Sequence, residues 1–397
     1  MTAARAPDSG RKALEAFLST ETMSGVVLFA ATVLALAWEN SPWHALYEHL
    51  WEIRLVHVGV LVEIDVTLHF FVNEILMTLF FFVVGLEIRR EAHDGALASL
   101  KLAALPVAAA AGGVLAPALI YLGISGDSEH SGAWAVPTAT DIAFAVGVLA
   151  LLGKRVPAAL RALLLALAIA DDVAAIVIIA VVFAGGVSLI GLAIAAAGVA
   201  TVLALRKLGV GAEIVYAVPG VLLWIGLLDA GIHPVLAGVI LGLLTPMRAR
   251  RANEPPPAVR VERLLHPWVA FVVMPLFALA NAGIRIGGID LGDPALRTLI
   301  TAISLGLLVG KPLGIVTTAW LAVRLGWCAL PSGVRFSGVL VIGSLGGIGF
   351  TMAIFIATLA FPSAEALAAA KLSVLVGSAA AAVLGLTLGA RLLRTPS

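Results

Sequence analysis

The sequence predicts an all-α membrane protein that crosses the bilayer about twelve times. Hydrophobic residues make up 61% of the chain and charged residues only 12%, and the mean hydropathy is +1.07. Apolar runs of about 20 residues recur from one end of the chain to the other, and a helix of that length crosses a hydrocarbon core of roughly 30 Å. So much apolar surface has no place in a soluble fold.

The individual spans are predicted from apolar runs that end at charged residues, proline or glycine. An even number of spans places both chain termini on one side of the membrane. The predicted spans are 22–38, 68–87, 101–122, 134–153, 159–184, 187–206, 212–228, 232–247, 266–284, 297–323, 335–360 and 366–393.

The basic residues predict the orientation, because short loops rich in lysine and arginine stay in the cytoplasm. With the N-terminus inside, 20 of the 25 basic residues face the cytoplasm. The other five are Arg54, Arg285, Arg297 and Lys371 outside, and Lys311 within a span. We therefore expect both termini to be cytoplasmic and residues 1–20 to form a polar cytoplasmic leader.

The whole chain, 1–397, is predicted to be a single integral membrane domain. Residues 48–66 partly alternate polar and apolar side chains around Gly59, which favours an external β-hairpin over the alternative of an irregular loop. A lone hairpin is only marginally stable, so it is expected to pair with a second copy and form a homodimer. Residues 248–263, with consecutive prolines at 255–257, are predicted to be a cytoplasmic linker.

Several classes of function are excluded by composition. A formal net charge of +1 without a basic, aromatic-rich face gives no basis for binding nucleic acid. The single cysteine, Cys328, has no partner for an intramolecular disulfide, and no Cys/His spacing suggests zinc. We expect no resident cofactor.

Five charged residues stand out inside predicted spans, because a charge near the midplane costs at least ~2.5–3.5 kcal/mol and usually serves a transport pathway. Glu74 is the least central of them. The other four are Asp141, Asp171, Asp172 and Lys311.

Two spans are predicted to be broken helices. Pro137, Thr138 and Thr140 interrupt the fourth span beside Asp141, which could offset the positive end of a half-helix. Four glycines between 343 and 349 interrupt the eleventh span, although close helix packing is the alternative for these glycines alone. The corresponding positions predict inverted repeats formed by spans 3–5 and 10–12.

Asp171 and Asp172 are adjacent in the middle of the fifth span, so their side chains point about 100° apart. One can face an ion cavity while the other contacts a neighbouring helix. Two such carboxylates repel as anions and hold a proton more readily, so Na⁺ and protons would compete for one site. The alternative is a satisfied polar patch.

Lys311 needs an anionic or carbonyl partner if it lies inside the membrane. Asp171 and the carbonyl groups near Gly343 to Gly349 are the candidates. The alternative is that its long side chain reaches the membrane interface.

These motifs together resemble the bacterial NhaA-type sodium/proton antiporters, a family with inverted repeats and broken helices. The resemblance covers nearly the whole chain. It rests on the segments Phe80 to Glu91, Pro137 to Asp141, Ala168 to Asp172, His266 to Trp268, Gly310 to Gly314 and Gly347 to Met352.

The resemblance implies an inner-membrane antiporter, not an enzyme, that exports Na⁺, and Li⁺ as well, for a larger number of protons. It implies that Asp172 is the principal ligand of the transported Na⁺, with Asp171, its proton-carrying neighbour, and Thr140 as further ligands. It further implies that Asp141 lies beside Thr140 at the broken helix and that Lys311 is the compensating charge. It also implies pH-sensing roles for Glu87, Glu91, Glu262 and His233. From the residues alone, Glu87 and Glu91 are more typical of a solvated helix end, and His233 is as typical of a plain interfacial histidine as of a sensor.

Three other functions are compatible with membrane carboxylates. A sodium-coupled organic-anion symporter needs a roomy polar cavity, and an intramembrane aspartyl protease needs its aspartates on separate helices with a Gly-x-Gly-Asp element. Here Gly347-Ile-Gly349 is followed by Phe350. A passive channel is disfavoured by a carboxylate pair with a buried lysine.

Overall fold

The structure is a computed structural model that describes residues 7–59, 63–126, 128–186, 188–210, 213–248 and 254–393. Helices dominate it. In chain order they are α1 Pro7–Glu39, α2 His44–Glu52, α3 Leu68–Asp94, α4 Leu100–Ser125, α5 Ile142–Ala150, α6 Ala158–Val182, α7 Leu189–Lys207, α8 Ala217–Asp229, α9 Leu236–Leu244, α10 257–281, α11 Pro294–Arg324, α12 Phe336–Gly346, α13 Phe350–Ala360 and α14 Ala364–Leu392.

Many of these helices begin at a side chain that satisfies a free backbone N–H group. Ser99 accepts a hydrogen bond from Leu102 N at the start of α4, and Ser188 accepts one from Gly191 N at the start of α7. Asp293 caps α11, where Pro294 occupies the first helical position. The sequence therefore encodes these helix starts locally.

The described residues form a multi-pass helical assembly. Eight helices are long and apolar enough to cross a membrane, or ten if each of two bent pairs counts as one span. The predicted spans 212–228 and 232–247 correspond to α8 with 13 residues and α9 with 9, both shorter than a full crossing. The count of twelve therefore stays a prediction.

The predicted β-hairpin is present. Strands β1 Arg54–Gly59 and β2 Glu63–Thr67 pair antiparallel, while the turn at 60–62 lies outside the described residues. The prediction placed residues 48–52 in the hairpin, which is wrong because they belong to α2. Tyr47 and Trp51, four residues apart on α2, are both buried, so this stretch is helical with one packed face.

A hydrogen bond across the hairpin joins two exposed side chains. His57 Nδ1 lies 2.8 Å from Asp65 Oδ1. This bond, with Arg54 nearby, lowers the pKa of Asp65. The pair therefore supports the hairpin at neutral pH, and its contribution is lost as the pH falls through the lowered pKa of Asp65.

The predicted leader and the predicted linker both overlap residues that are helical in the structure. Residues 1–6 lie outside the described residues, and α1 begins at Pro7 within the predicted leader. In the predicted linker, residues 249–253 are likewise not described. The linker prediction of 248–263 is too long, because α10 begins at Pro257, where a proline fits the first helical position.

Helices α4 and α11 pack closely at a pair of glycines. A Cβ atom built on Gly112 would lie 2.3 Å from the carbonyl oxygen of Gly314, and one built on Gly314 would lie 2.0 Å from the carbonyl oxygen of Gly112. Such distances allow only glycine. This contact sets how deeply Lys311, one turn before Gly314, reaches into the centre of the molecule.

We expect Gly112→Ala to destabilise the protein by about 1–3 kcal/mol, because the added methyl group forces α4 and α11 apart. Thermal unfolding of the purified protein in detergent would measure the loss. The matched control is Gly123→Ala in the same helix, where an added Cβ meets nothing within 4 Å. Equal stability of the two variants would contradict this account of the packing.

Three helices contain a short π turn, which widens the helix locally. These turns lie at Phe71–Leu76 in α3, Val269–Val273 in α10 and Gly306–Gly310 in α11. Turns of this kind often mark functional sites. The third one ends directly before Lys311, and the second lies beside the cavity described below.

Candidate ion-binding site

Two helical interruptions meet near the centre of the molecule. A 3₁₀ helix, Ser131–Thr138, ends before α5, and the intervening Ala139 and Asp141 have extended backbones. The second interruption separates α12 from α13, whose axes differ by 45°. The N–H of Asp141 donates to Ile348 O at 2.7 Å, so the interruptions are bonded to each other.

Asp141 caps the helices that follow both interruptions. Its Oδ1 accepts a hydrogen bond from Phe144 N at 3.0 Å, at the start of α5. Its Oδ2 accepts bonds from the backbone N–H and the hydroxyl of Thr351, at the start of α13. A carboxylate here offsets the positive ends of two helix dipoles, as its position beside the break predicted for one of them.

Lys311 is completely buried and makes two hydrogen bonds. Its Nζ donates to Asp171 Oδ2 at 2.5 Å and to Thr140 Oγ1 at 2.7 Å, and Thr140 donates in turn to Gly346 O at 2.8 Å. The predicted partnership with Asp171 is confirmed, and the side chain does not reach the membrane interface. Thr140 thereby connects Lys311 to the second interruption.

Asp171 and Asp172 have different surroundings, as their helical spacing predicted. Asp171 is bonded to Lys311, and its Oδ1 has no hydrogen-bond partner among the described residues. Asp172 lines a cavity of about 640 Å³ together with Asp141. Apolar side chains also line this cavity, among them Ile142, Ile169, Met274 and Met352.

The same cavity is lined by three of the four residues predicted to sense pH. Glu87, Glu91 and Glu262 all line it, with side chains less than a fifth exposed. Arg90 bonds to Glu262 and lies 3.3 Å from Glu91, while His266 lies 4.0 Å from Glu87. These carboxylates are therefore part of a paired cluster and do not form a solvated helix end.

His233, the fourth predicted sensor, does not line this cavity. Its Nε2 lies 3.5 Å from Glu74 Oε1, and its ring packs edge-on against Phe355 with centroids 5.4 Å apart. Both His233 and Glu74 are largely buried. Neither the carboxylate cluster nor the Asp171–Lys311 pair contacts them in the residues described.

The three predicted sodium ligands are not assembled into an ion cage in this conformation. Asp172 faces the cavity, but Asp171 and Thr140 are bonded to Lys311. Among the residues that the structure describes, no three His, Cys, Asp or Glu side chains are arranged to hold a metal ion. A cation that uses all three ligands must first displace the lysine.

Among the contacts at the site that were not predicted, two join side chains far apart in the sequence. Thr351 bonds to Asp141 across 210 positions of sequence, and Arg90 bonds to Glu262 across 172. The only local signal for the first was that Thr351 directly follows the glycine-rich interruption, where helix-capping groups are needed. Nothing near Arg90 in the sequence points to its partner.

Sequence similarity to known proteins covers nearly the whole chain. The family model described as Na⁺/H⁺ antiporter 1 matches residues 15–388. The chain is 51% identical to the Na⁺/H⁺ antiporter NhaA of Cupriavidus necator, with 95% of this chain and 89% of that protein covered. It is 54% identical to the NhaA of Acidovorax sp. (93% and 89% covered) and 51% identical to NhaA 2 of Sorangium cellulosum (96% and 90%). This chain therefore belongs to the Na⁺/H⁺ antiporter 1 family.

Proposed function

We propose that the protein is a secondary transporter that exports Na⁺, and Li⁺ as well, in exchange for protons across the bacterial inner membrane. The proposal rests on the different surroundings of the two adjacent aspartates. Asp172 is open to a cavity, whereas Asp171 is held by the buried Lys311. Transport of this kind requires no enzymatic reaction.

The exchange follows from competition for the same oxygen atoms. A Na⁺ ion that enters the cavity is attracted to Asp172 and recruits Asp171 and Thr140 as further oxygen ligands. Lys311 then loses its carboxylate partner in a buried environment, which favours release of a proton. Proton return to Asp171, Asp172 or Lys311 expels the cation. Exchange of one Na⁺ for more than one proton is electrogenic.

Alternating access requires that the site opens to one side at a time. We propose twelve spans, with spans 3–5 and 10–12 as inverted repeats and broken helices in spans 4 and 11. The direct bonds between the two interruptions support this, as does the packing of α4 on α11, the first helices of the two repeats. The open cavity is then the cytoplasmic entrance, and both termini are cytoplasmic.

Regulation by pH is proposed to arise in the paired cluster at the cavity. Glu87, Glu91 and Glu262 lie within a few ångströms of Arg90 or His266. A change in proton occupancy redistributes these ion pairs and alters the field that an entering cation meets. His233 is proposed to influence the pH response from its separate position beside Glu74.

The exchange test uses everted membrane vesicles in which respiration has acidified the lumen. Addition of Na⁺ should raise the luminal pH in vesicles that contain the native chain, and K⁺ should not. Collapse of the membrane potential with valinomycin and K⁺ should change the rate if exchange is electrogenic. If Na⁺ moves no protons at any pH, the proposal is wrong; a requirement for an organic anion would establish the symporter instead.

A homodimer through the external hairpin is proposed because β1 and β2 form an isolated two-stranded sheet with exposed apolar side chains. In a Cys328→Ser background, Val56→Cys should form a disulfide-linked dimer in native membranes. Leu291→Cys, a similarly exposed residue of another loop, is the control. Equal crosslinking of both variants would contradict a specific hairpin interface.

A further inference from the structure

A second pair of titratable side chains lies away from the cavity. Glu74 Oε1 is 3.5 Å from His233 Nε2, and the other polar atom of each side chain, Glu74 Oε2 and His233 Nδ1, is buried without a hydrogen-bond partner in the part of the chain described. A buried carboxylate oxygen that lacks a donor is costly unless another ligand satisfies it in some state. The exchange reaction at Asp172 leaves this pair unexplained.

The backbone holds Glu74 in an unusual position. It lies in the π turn Phe71–Leu76 of α3, and its carbonyl oxygen accepts a hydrogen bond from the Thr78 hydroxyl at 2.6 Å. The preceding Asn73 exchanges hydrogen bonds with Asn281 of α10. Polar side chains of α3 and α10 therefore form a patch around the π turn. Such turns commonly accompany functional sites.

Three phenylalanine side chains separate this patch from the cavity. Phe355 contacts His233 on one side, and its ring centroid lies 5.5 Å from that of Phe81 and 6.2 Å from that of Phe277. All three side chains are essentially fully buried. Phe355 lies one turn after Thr351, which is bonded to Asp141 at the cavity, so the cluster stands between the two polar regions.

The position of Glu74 along α3 places it on the opposite side of this barrier from the carboxylate cluster. Glu74 and Glu87 belong to the same helix and are roughly 20 Å apart at a helical rise of about 1.5 Å per residue. The chain direction then puts Glu74 in the external half of the span, because Glu87 lies at the end predicted to be cytoplasmic. The start of α3 also follows directly from the external hairpin.

We propose that Glu74, with His233 beside it, forms a second monovalent-cation site on the external half of the exchange path, occupied alternately by Na⁺ and a proton. This inference rests on the proposed exchange function. The phenylalanine cluster closes the path between this site and Asp172 in the present conformation. Its rearrangement joins Glu74 to the central site when the transporter opens outward.

The site is tested by comparing the Na⁺ dependence of exchange at the two faces of the membrane. Exchange is measured with ²²Na⁺ in right-side-out and everted vesicles that contain the native chain or Glu74→Gln. We expect the half-saturating Na⁺ concentration at the external face to rise at least about fivefold in Glu74→Gln, with a change below about twofold at the cytoplasmic face. Glu74→Asp should restore most of the external affinity.

The matched control is Glu129→Gln, because Glu129 also lies 3.5 Å from a histidine, His130, but its side chain is 77% exposed. It should leave both faces unchanged. Equal shifts at the two faces in Glu74→Gln, or none, would overturn the external site while native exchange still supports the proposed function. Absence of exchange by the native chain would overturn both.

A chemical probe on the native chain keeps the test decisive if Glu74→Gln does not fold. Dicyclohexylcarbodiimide modifies protonated carboxyl groups in apolar surroundings, and the modified peptide is identified by mass spectrometry. In right-side-out vesicles, external Na⁺ should reduce modification of Glu74 at least about threefold, and choline should not. Modification that is unaffected by Na⁺ would overturn the proposal.

Discussion

Asp172→Asn is expected to abolish Na⁺-dependent proton movement while the protein remains folded. Asp172 is the member of the aspartate pair that lines the cavity. Its replacement removes an anionic oxygen that an entering cation would meet. Loss of that charge should weaken Na⁺ binding by at least about 100-fold, which corresponds to about 2.8 kcal/mol.

The measurement is the rise of luminal pH in everted vesicles after Na⁺ addition, at equal amounts of membrane-inserted protein. The control is Asp94→Asn, which makes the same chemical change at a carboxylate that is 66% exposed and bonded to His93. It should exchange like the native chain. Native-like exchange by Asp172→Asn would show that the cation binds elsewhere.

Lys311→Met is expected to cause the largest loss of stability of any single change at the site, about 3–5 kcal/mol. Removal of the ammonium leaves the buried Asp171 carboxylate without its partner, and an uncompensated buried charge is strongly destabilising. Thr140 also loses a donor. Thermal unfolding in detergent at neutral pH would measure the effect.

The double variant Lys311→Met with Asp171→Asn separates this electrostatic cause from a packing defect. With both charges gone, most of the lost stability should return, since an apolar replacement of a buried ion pair is often nearly neutral. Lys154→Met, in the short 3₁₀ helix Gly153–Arg155, controls for the substitution itself. A double variant as unstable as Lys311→Met would mean that the lysine acts mainly through packing.

Features encoded in neighbouring residues were predictable from the sequence. Spans are readable because a helix in a bilayer must satisfy its own backbone and cover it with apolar side chains. The interruption before Asp141 was visible in Pro137 and the threonines. The different directions of Asp171 and Asp172 follow from helix geometry alone.

Features that depend on distant contacts were not predictable. The family resemblance implies a role in the pH response for His233 but no partner. The packing of α9 against α3 places it beside Glu74, because glycines 85, 238 and 242 bring these helices together. The last five residues of α2, 48–52, were assigned to the hairpin because alternation in residues 51–65 is visible in the sequence, whereas the burial of Tyr47 and Trp51 is not. Hydropathy does not tell which side chains of different helices contact each other.

The capping of α5 and α13 by one carboxylate has a mechanical consequence. Because Asp141 is bonded to the first residues of both helices, neither can tilt independently without breaking charge-assisted hydrogen bonds in an apolar medium. Conformational change is thus confined to motions in which the two segments turn as one rigid unit. A bend that preserves these bonds is then left to the other ends of the two helices, near Leu151 and Phe361.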